Sequence, residues 1–152
     1  MLRTSCFLVG SVGLIAAMAA DALAVAGRHV GLPFLGSIEL VQAAIVVAAS
    51  AAIIGATLND GHATVHILME RLSPEVRRRF QTVADLVSAA CFVALAAGSI
   101  WLVVDLWRGT EHTELLGLPL KPLRLAWCAS AILTAGLFFA RAIRPADGEQ
   151  RP

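Results

Sequence analysis

Charge is scarce in this chain. Only 15% of the 152 residues are charged while 58% are hydrophobic, and the mean hydropathy of +0.76 exceeds what a soluble domain hides in its core, so lipid is the expected solvent for most of the surface. Paired cysteines are missing as well. Cys6, Cys91 and Cys128 stand in three different apolar runs with no CxxC spacing, which suggests neither a disulfide framework nor a metal site and leaves them as packing residues. The apolar runs lack the alternation of barrel strands, and because only helices and closed barrels satisfy the backbone inside hydrocarbon, a barrel is excluded. Nor is there a nucleophile with a base, a phosphate-cradling loop or a pair of carboxylates at mid-membrane depth. The chain is therefore not read as an enzyme, and neither a cofactor nor a nucleic-acid partner is expected.

What is present is four apolar segments, about 6–27, 38–58, 83–107 and 122–143. Each is long enough for a ~30 Å hydrocarbon core, which takes about 20 helical residues. The expected fold class is an all-α integral membrane protein, a single membrane domain over 1–152 with four transmembrane helices and a polar tail at 144–152. Of its 12 Lys and Arg residues, Arg3, Arg71, Arg77, Arg78, Arg79, Arg141, Arg144 and Arg151 fall on one side of such a topology, and Arg28, Arg108, Lys121 and Arg124 on the other. The positive-inside rule then places both termini and the central connection in the cytoplasm. A competing reading takes Arg3, the apolar run to Ala20 and the small residues Ala22 and Ala24 as a cleavable signal peptide. Keeping the first helix preserves an even number of crossings.

The connections differ in character. RHVGLPFLGS (28–37) reads as a tight outer hairpin, while 108–121, next to Trp107 and containing LLGLPL, reads as a segment resting on the interface. The central stretch DGHATVHILMERLSPEVRRRF (60–80) is polar between two apolar spans. Val65, Leu68, Met69 and Leu72 give it one apolar stripe at helical spacing, which predicts an interfacial amphipathic segment over about 62–81. Within it, Ser73-Pro74-Glu75 is a helix-start signature, with a capping hydroxyl, a proline and then an acid. The new helix carries Arg77, Arg78 and Arg79 to the anionic headgroups as anchors, with Trp107 in the same role at the other end.

His62 and His66 have the i, i+4 spacing of a metal pair, yet HATVH lacks the glutamate of HExxH and has no third ligand nearby, so no metal is expected. All four histidines lie in connections, where a bundle haem would find no axial ligand. Asp21, Asp85 and Asp105 lie in or near apolar runs and are functional candidates by default. Interfacial pairing is the expectation for Asp85 and Asp105, while Asp21, deeper in its helix, stays open. Small residues recur on shared faces, Ala44, Ala48, Ala51, Ala52 and Gly55 in the second span and Ala90, Ala94, Ala97 and Gly98 in the third. They suit close helix packing within the chain or against a partner, the former being the expectation for any one residue.

Several of these residues together resemble a known family. Arg28 closing the first helix, Glu39 opening the second, Gly61-His62 with Val65 beyond, the arginines after Leu72-Ser73-Pro74, and LGLPLKPLRLAW before the fourth helix resemble the DctQ family, the small membrane subunits of tripartite ATP-independent periplasmic (TRAP) transporters. The resemblance covers about Ala24 to Arg141. The chain departs from the pattern at His66, where an acid is common, and at Gly36, Ser37 and Ile38, where an aromatic and a second acid often precede Glu39. What the resemblance implies is a bacterial inner-membrane subunit in sodium-coupled uptake of organic acids. Its partners would be a large membrane subunit holding the substrate and ion sites, a periplasmic substrate-binding protein, and membrane lipid. Arg28, Glu39 and His62 carry over as structural or subunit-contact positions, with Asp21 and Asp105 as further candidates. Two alternatives stand beside it: the small subunit of a tripartite tricarboxylate transporter, and a self-sufficient oligomeric transporter using Asp21.

Overall fold

A computed structural model describes residues 2–59, 73–109 and 111–143. Four helices account for most of them: α1 (Leu2–His29), α2 (Ser37–Leu58), α3 (Pro74–Asp105) and α4 (Leu120–Ile143). All four are long and apolar enough to cross a membrane. At ~1.5 Å per residue α3 is roughly 48 Å long, well beyond a ~30 Å core, so its first turns with Arg77, Arg78 and Arg79 project past the apolar span.

The third helix therefore begins earlier than the apolar run, and residues 74–81 of the expected interfacial segment are its first two turns. Residues 62–72 of that segment, including His62, His66 and Arg71, lie outside the described residues, as does the tail 144–152. Ser73 occupies the cap with an extended backbone, but its hydroxyl makes no capping bond. The start rests instead on the Ser73 carbonyl, which accepts the Arg77 N–H at 2.9 Å, and on Pro74, whose missing N–H costs nothing there. α3 ends at Asp105, so Trp107 stands in the following turn rather than in the helix.

The helices do not close into a bundle. α1 packs on α2, α2 on α4 and α4 on α3, an open row in which α1 and α3 are the outer members. The α4 span is the most buried of the four, at 33%, and the α3 span the least, at 11%.

The seam between α1 and α2 is made of small side chains. Gly13, Ala17, Ala20 and Ala24 are the buried residues of α1, and with Cys6 and Gly10 they recur at alternating intervals of four and three, the repeat that keeps one face on a neighbouring helix. A Cβ on Gly13 would lie 3.1 Å from the Ala44 carbonyl oxygen and from Ala48 Cβ, and one on Gly55 would lie 3.5 Å from Cys6 Cβ. In lipid, where burying apolar atoms from water gives no drive, this close approach and its dispersion contacts hold the pair.

Between α3 and α4, Ala89 and Ala96 are buried on one side and Ala131, Ala135 and Phe138 on the other. Phe92 stacks on Phe138 with ring centroids 5.9 Å apart. The small face expected to pack within the chain is a different one. Ala90, Ala94, Ala97 and Gly98 are all exposed, and a Cβ on Gly98 would meet nothing within 4 Å. The buried stripe of α3 is displaced from them around the helix. Cys91 likewise is exposed and does not pack within the chain, whereas Cys128 is buried and Cys6 half-buried.

Candidate functional site

The ends of α1 and α3 and the starts of α2 and α4 meet at one side of the molecule, where the α1–α2 and α3–α4 connections form a structured cap. α1 finishes with Arg28 and His29, both turned onto its own last carbonyls: Arg28 Nε donates to the Ala24 oxygen at 3.4 Å, and His29 Nδ1 lies 3.0 Å from the Val25 oxygen. Side-chain donors that satisfy orphan carbonyls are favourable at a helix C-terminus, and the Arg28 charge also suits its negative end. The chain then reverses through Gly31, at a φ of +76° that L side chains rarely adopt. The Leu32 N–H donates to the Gly27 oxygen at 2.8 Å.

Glu39, in the first turn of α2, organises the second connection. It is buried, at 8% exposure, and its two carboxylate oxygens accept the N–H groups of Leu115 and Leu116, each at 2.8 Å. The Thr113 hydroxyl and the Glu114 N–H also bond to it. Successive backbone N–H groups gathered round one carboxylate form an anion nest, and the anion sits at the positive end of α2. The connection is folded to present that nest. Thr113 N–H donates to the Leu118 oxygen at 3.0 Å, Leu118 N–H donates to Thr113 Oγ1 at 2.9 Å, and Gly117 takes a φ of +65° between them. Leu116 then lies over Gly36, where a Cβ would fall 2.5 Å from Leu116 Cγ.

Two further contacts fix the base of this connection. Arg124 Nη1 of α4 lies 2.6 Å from Glu111 Oε2, an ion pair held by charge without an aligned hydrogen bond. Lys121 Nζ stands 5.5 Å from the centroid of the Trp107 ring, within cation–π range. The segment expected to rest on the interface is thus also tied, through Glu39, to a helix 76 positions away in sequence.

At the opposite side, Arg141 of α4 donates from Nη2 to the Thr57 carbonyl in the last turn of α2. Its guanidinium lies 5.9 Å from the Phe138 ring. Thr57 is fully buried and its hydroxyl returns to the Ile53 oxygen at 2.8 Å. α2 is therefore tied at its start to the connection leading into α4, by the Glu39 nest, and at its end to α4 itself, by Arg141.

The family model for the DctQ component of tripartite ATP-independent periplasmic transporters matches residues 8–148. The chain belongs to the DctQ family. Neither the curated proteins nor the solved structures gave a match. As a DctQ component with four apolar helices it is the small subunit of a TRAP transporter and a multi-pass inner-membrane protein.

The residues singled out in this DctQ chain do not assemble into one centre. Arg28, Glu39 and Trp107 share the capped side, but only Glu39 is buried there. Asp105 closes α3 and is exposed, and among the described residues it forms no ion pair. Asp85 is half-buried and engaged. Asp21 is exposed on α1, eight residues before its end, and belongs to no group of three or more His, Cys, Asp or Glu among the described residues. Arg77, Arg78 and Arg79 are exposed at the start of α3.

The sequence pointed to Glu39 but not to its partners, because backbone N–H groups leave no mark on residue type. Arg141 and Thr57 were missed for the same reason. The seam of α1 was legible, since its four-three repeat of Cys, Gly and Ala stands in the sequence, but it was not singled out.

Proposed function

We propose that this DctQ component is a non-catalytic brace for the large membrane subunit of its TRAP transporter, which takes up an organic acid with sodium and a periplasmic binding protein. The open helix row carries this reading. A chain evolved to work alone would gain by closing its helices around a polar path, yet here α3 leaves Ala90, Ala94, Ala97 and Gly98 exposed at the edge of the row. Small residues on a membrane helix face allow a partner helix to approach closely. We assign this face of α3 to the large subunit. Behind it the Arg141 contact ties α4 to the end of α2.

Alternating helix direction puts Arg3, Arg77, Arg78, Arg79 and Arg141 at one end of the row, which supports placing that end and both termini in the cytoplasm. The capped end with Arg28, Glu39 and the 106–119 connection would then face the periplasm, where the binding protein docks. The family match favours this reading over the tricarboxylate alternative and over a self-sufficient transporter built on Asp21.

Co-expression with the large membrane protein encoded beside it should give a complex that co-elutes at a fixed ratio in mild detergent. A homo-oligomer that ignores that protein would sink the reading and return attention to Asp21.

A further inference from the structure

A groove of about 530 Å³ runs between α1 and α2 on the side away from the Glu39 nest. Its mouth carries Arg3 and Asn59, its inner end Leu14 and Ile45, and its lining between them is almost wholly apolar. Gly10 and Gly55 belong to that lining, where the Cβ each lacks would meet the opposing helix at ordinary contact distances of 3.8 Å and 3.5 Å, so the floor of the groove is the close-packed seam itself. From Arg3 to Leu14 α1 rises roughly 16 Å, and from Ile45 to Ala56 α2 rises about the same, at ~1.5 Å per residue. One leaflet of hydrocarbon is about 15 Å deep. The groove thus reaches from headgroup level to the middle of the bilayer and stops.

We propose that this groove binds an anionic phospholipid, with one acyl chain along the α1–α2 cleft and the phosphate on Arg3. Length matches one chain of one leaflet, and the polar end is cationic. Among the described residues Arg3 has no carboxylate partner. A zwitterionic lipid would fill the same cleft with less gain at the mouth. The inference needs only that the helices are in a membrane and holds independently of the brace reading.

The test uses the full chain, purified and delipidated, offered phosphatidylglycerol and phosphatidylcholine in equal amounts, with bound lipid counted by native mass spectrometry. One phosphatidylglycerol should be retained per chain, favoured about fivefold over phosphatidylcholine, the effect expected of one basic side chain at an anionic headgroup. Arg3→Gln should erase the preference while leaving phosphatidylcholine binding unchanged, and Arg3→Lys should keep it. Because Arg3 is exposed near the start of α1, neither change threatens folding. Ala52→Phe, at an exposed position lining the groove, should remove both lipids. Wild-type retention in both Arg3→Gln and Ala52→Phe would mean ordinary boundary lipid and overturn the proposal. The same count on the complex with the large subunit should still find the lipid; its loss there would assign the groove to that subunit and also overturn it.

Discussion

Gly13→Leu will pry α1 from α2. A Cβ alone at this position would already lie 3.1 Å from Ala44 O and Ala48 Cβ and 3.2 Å from the Ala48 nitrogen, so a leucine has to push the two backbones apart along a seam held by close contact. Forcing extra methylenes into a packed interface costs about 1–3 kcal/mol, and here the neighbouring Ala17, Ala20 and Ala24 contacts loosen with it. Unfolding of the purified chain by titration with a denaturing detergent should show the loss as an earlier midpoint. Gly98→Leu is the matched comparison, since a Cβ there meets nothing within 4 Å. It should leave the midpoint unchanged and weaken co-elution with the large subunit, because the same emptiness that spares the chain is the space assigned to the partner. A Gly13→Leu chain as stable as wild type would mean that α1 is not held by this seam.

Glu39→Ala will release the connection between α3 and α4 without disturbing the helices. The substitution strips the partner from the Leu115 and Leu116 N–H groups at once, and the loop has then lost the anion around which Thr113 to Leu116 are arranged. Hydrogen exchange at Leu115 and Leu116 should become roughly ten- to a hundredfold faster, as expected when charge-assisted hydrogen bonds are removed. Amides in the middle of α2 and α4 should keep their protection. Glu39→Gln tests the charge, because it keeps the shape and one acceptor oxygen but turns an NH2 toward the nest, and it should fall between wild type and Glu39→Ala. Unchanged exchange in Glu39→Ala would show that the Arg124–Glu111 and Lys121–Trp107 contacts hold the connection by themselves. If this cap is where the binding protein docks, Glu39→Ala should also lower uptake by the assembled transporter while leaving the complex between the two membrane subunits intact.

The helices were readable because lipid imposes one simple rule, a long run of apolar residues, on every crossing. Two boundaries moved for identifiable reasons. α3 extends back to Pro74 because a helix continues through Arg77, Arg78 and Arg79 once a good start has been provided, and apolarity does not mark where water begins. It stops at Asp105 before the glycine-containing connection. Faces were harder to read than spans. Ala90, Ala94, Ala97 and Gly98 have the composition of an internal seam, yet Ala89 and Ala96 are the residues that face α4. When a helix is apolar all round, periodicity gives no direction, and only the neighbour decides. The Glu39 nest is the opposite case: the family resemblance marked Glu39, but its partners are backbone groups whose positions depend on the fold of a distant loop.

Sodium-driven uptake in proteoliposomes, measured with this chain alone, with the large membrane subunit alone and with both, bears most directly on the claim that the chain braces a transporter it does not operate. With binding protein and its organic acid supplied outside, only vesicles holding both membrane subunits should accumulate substrate at a substantial rate. Uptake by this chain without the large subunit would contradict the account.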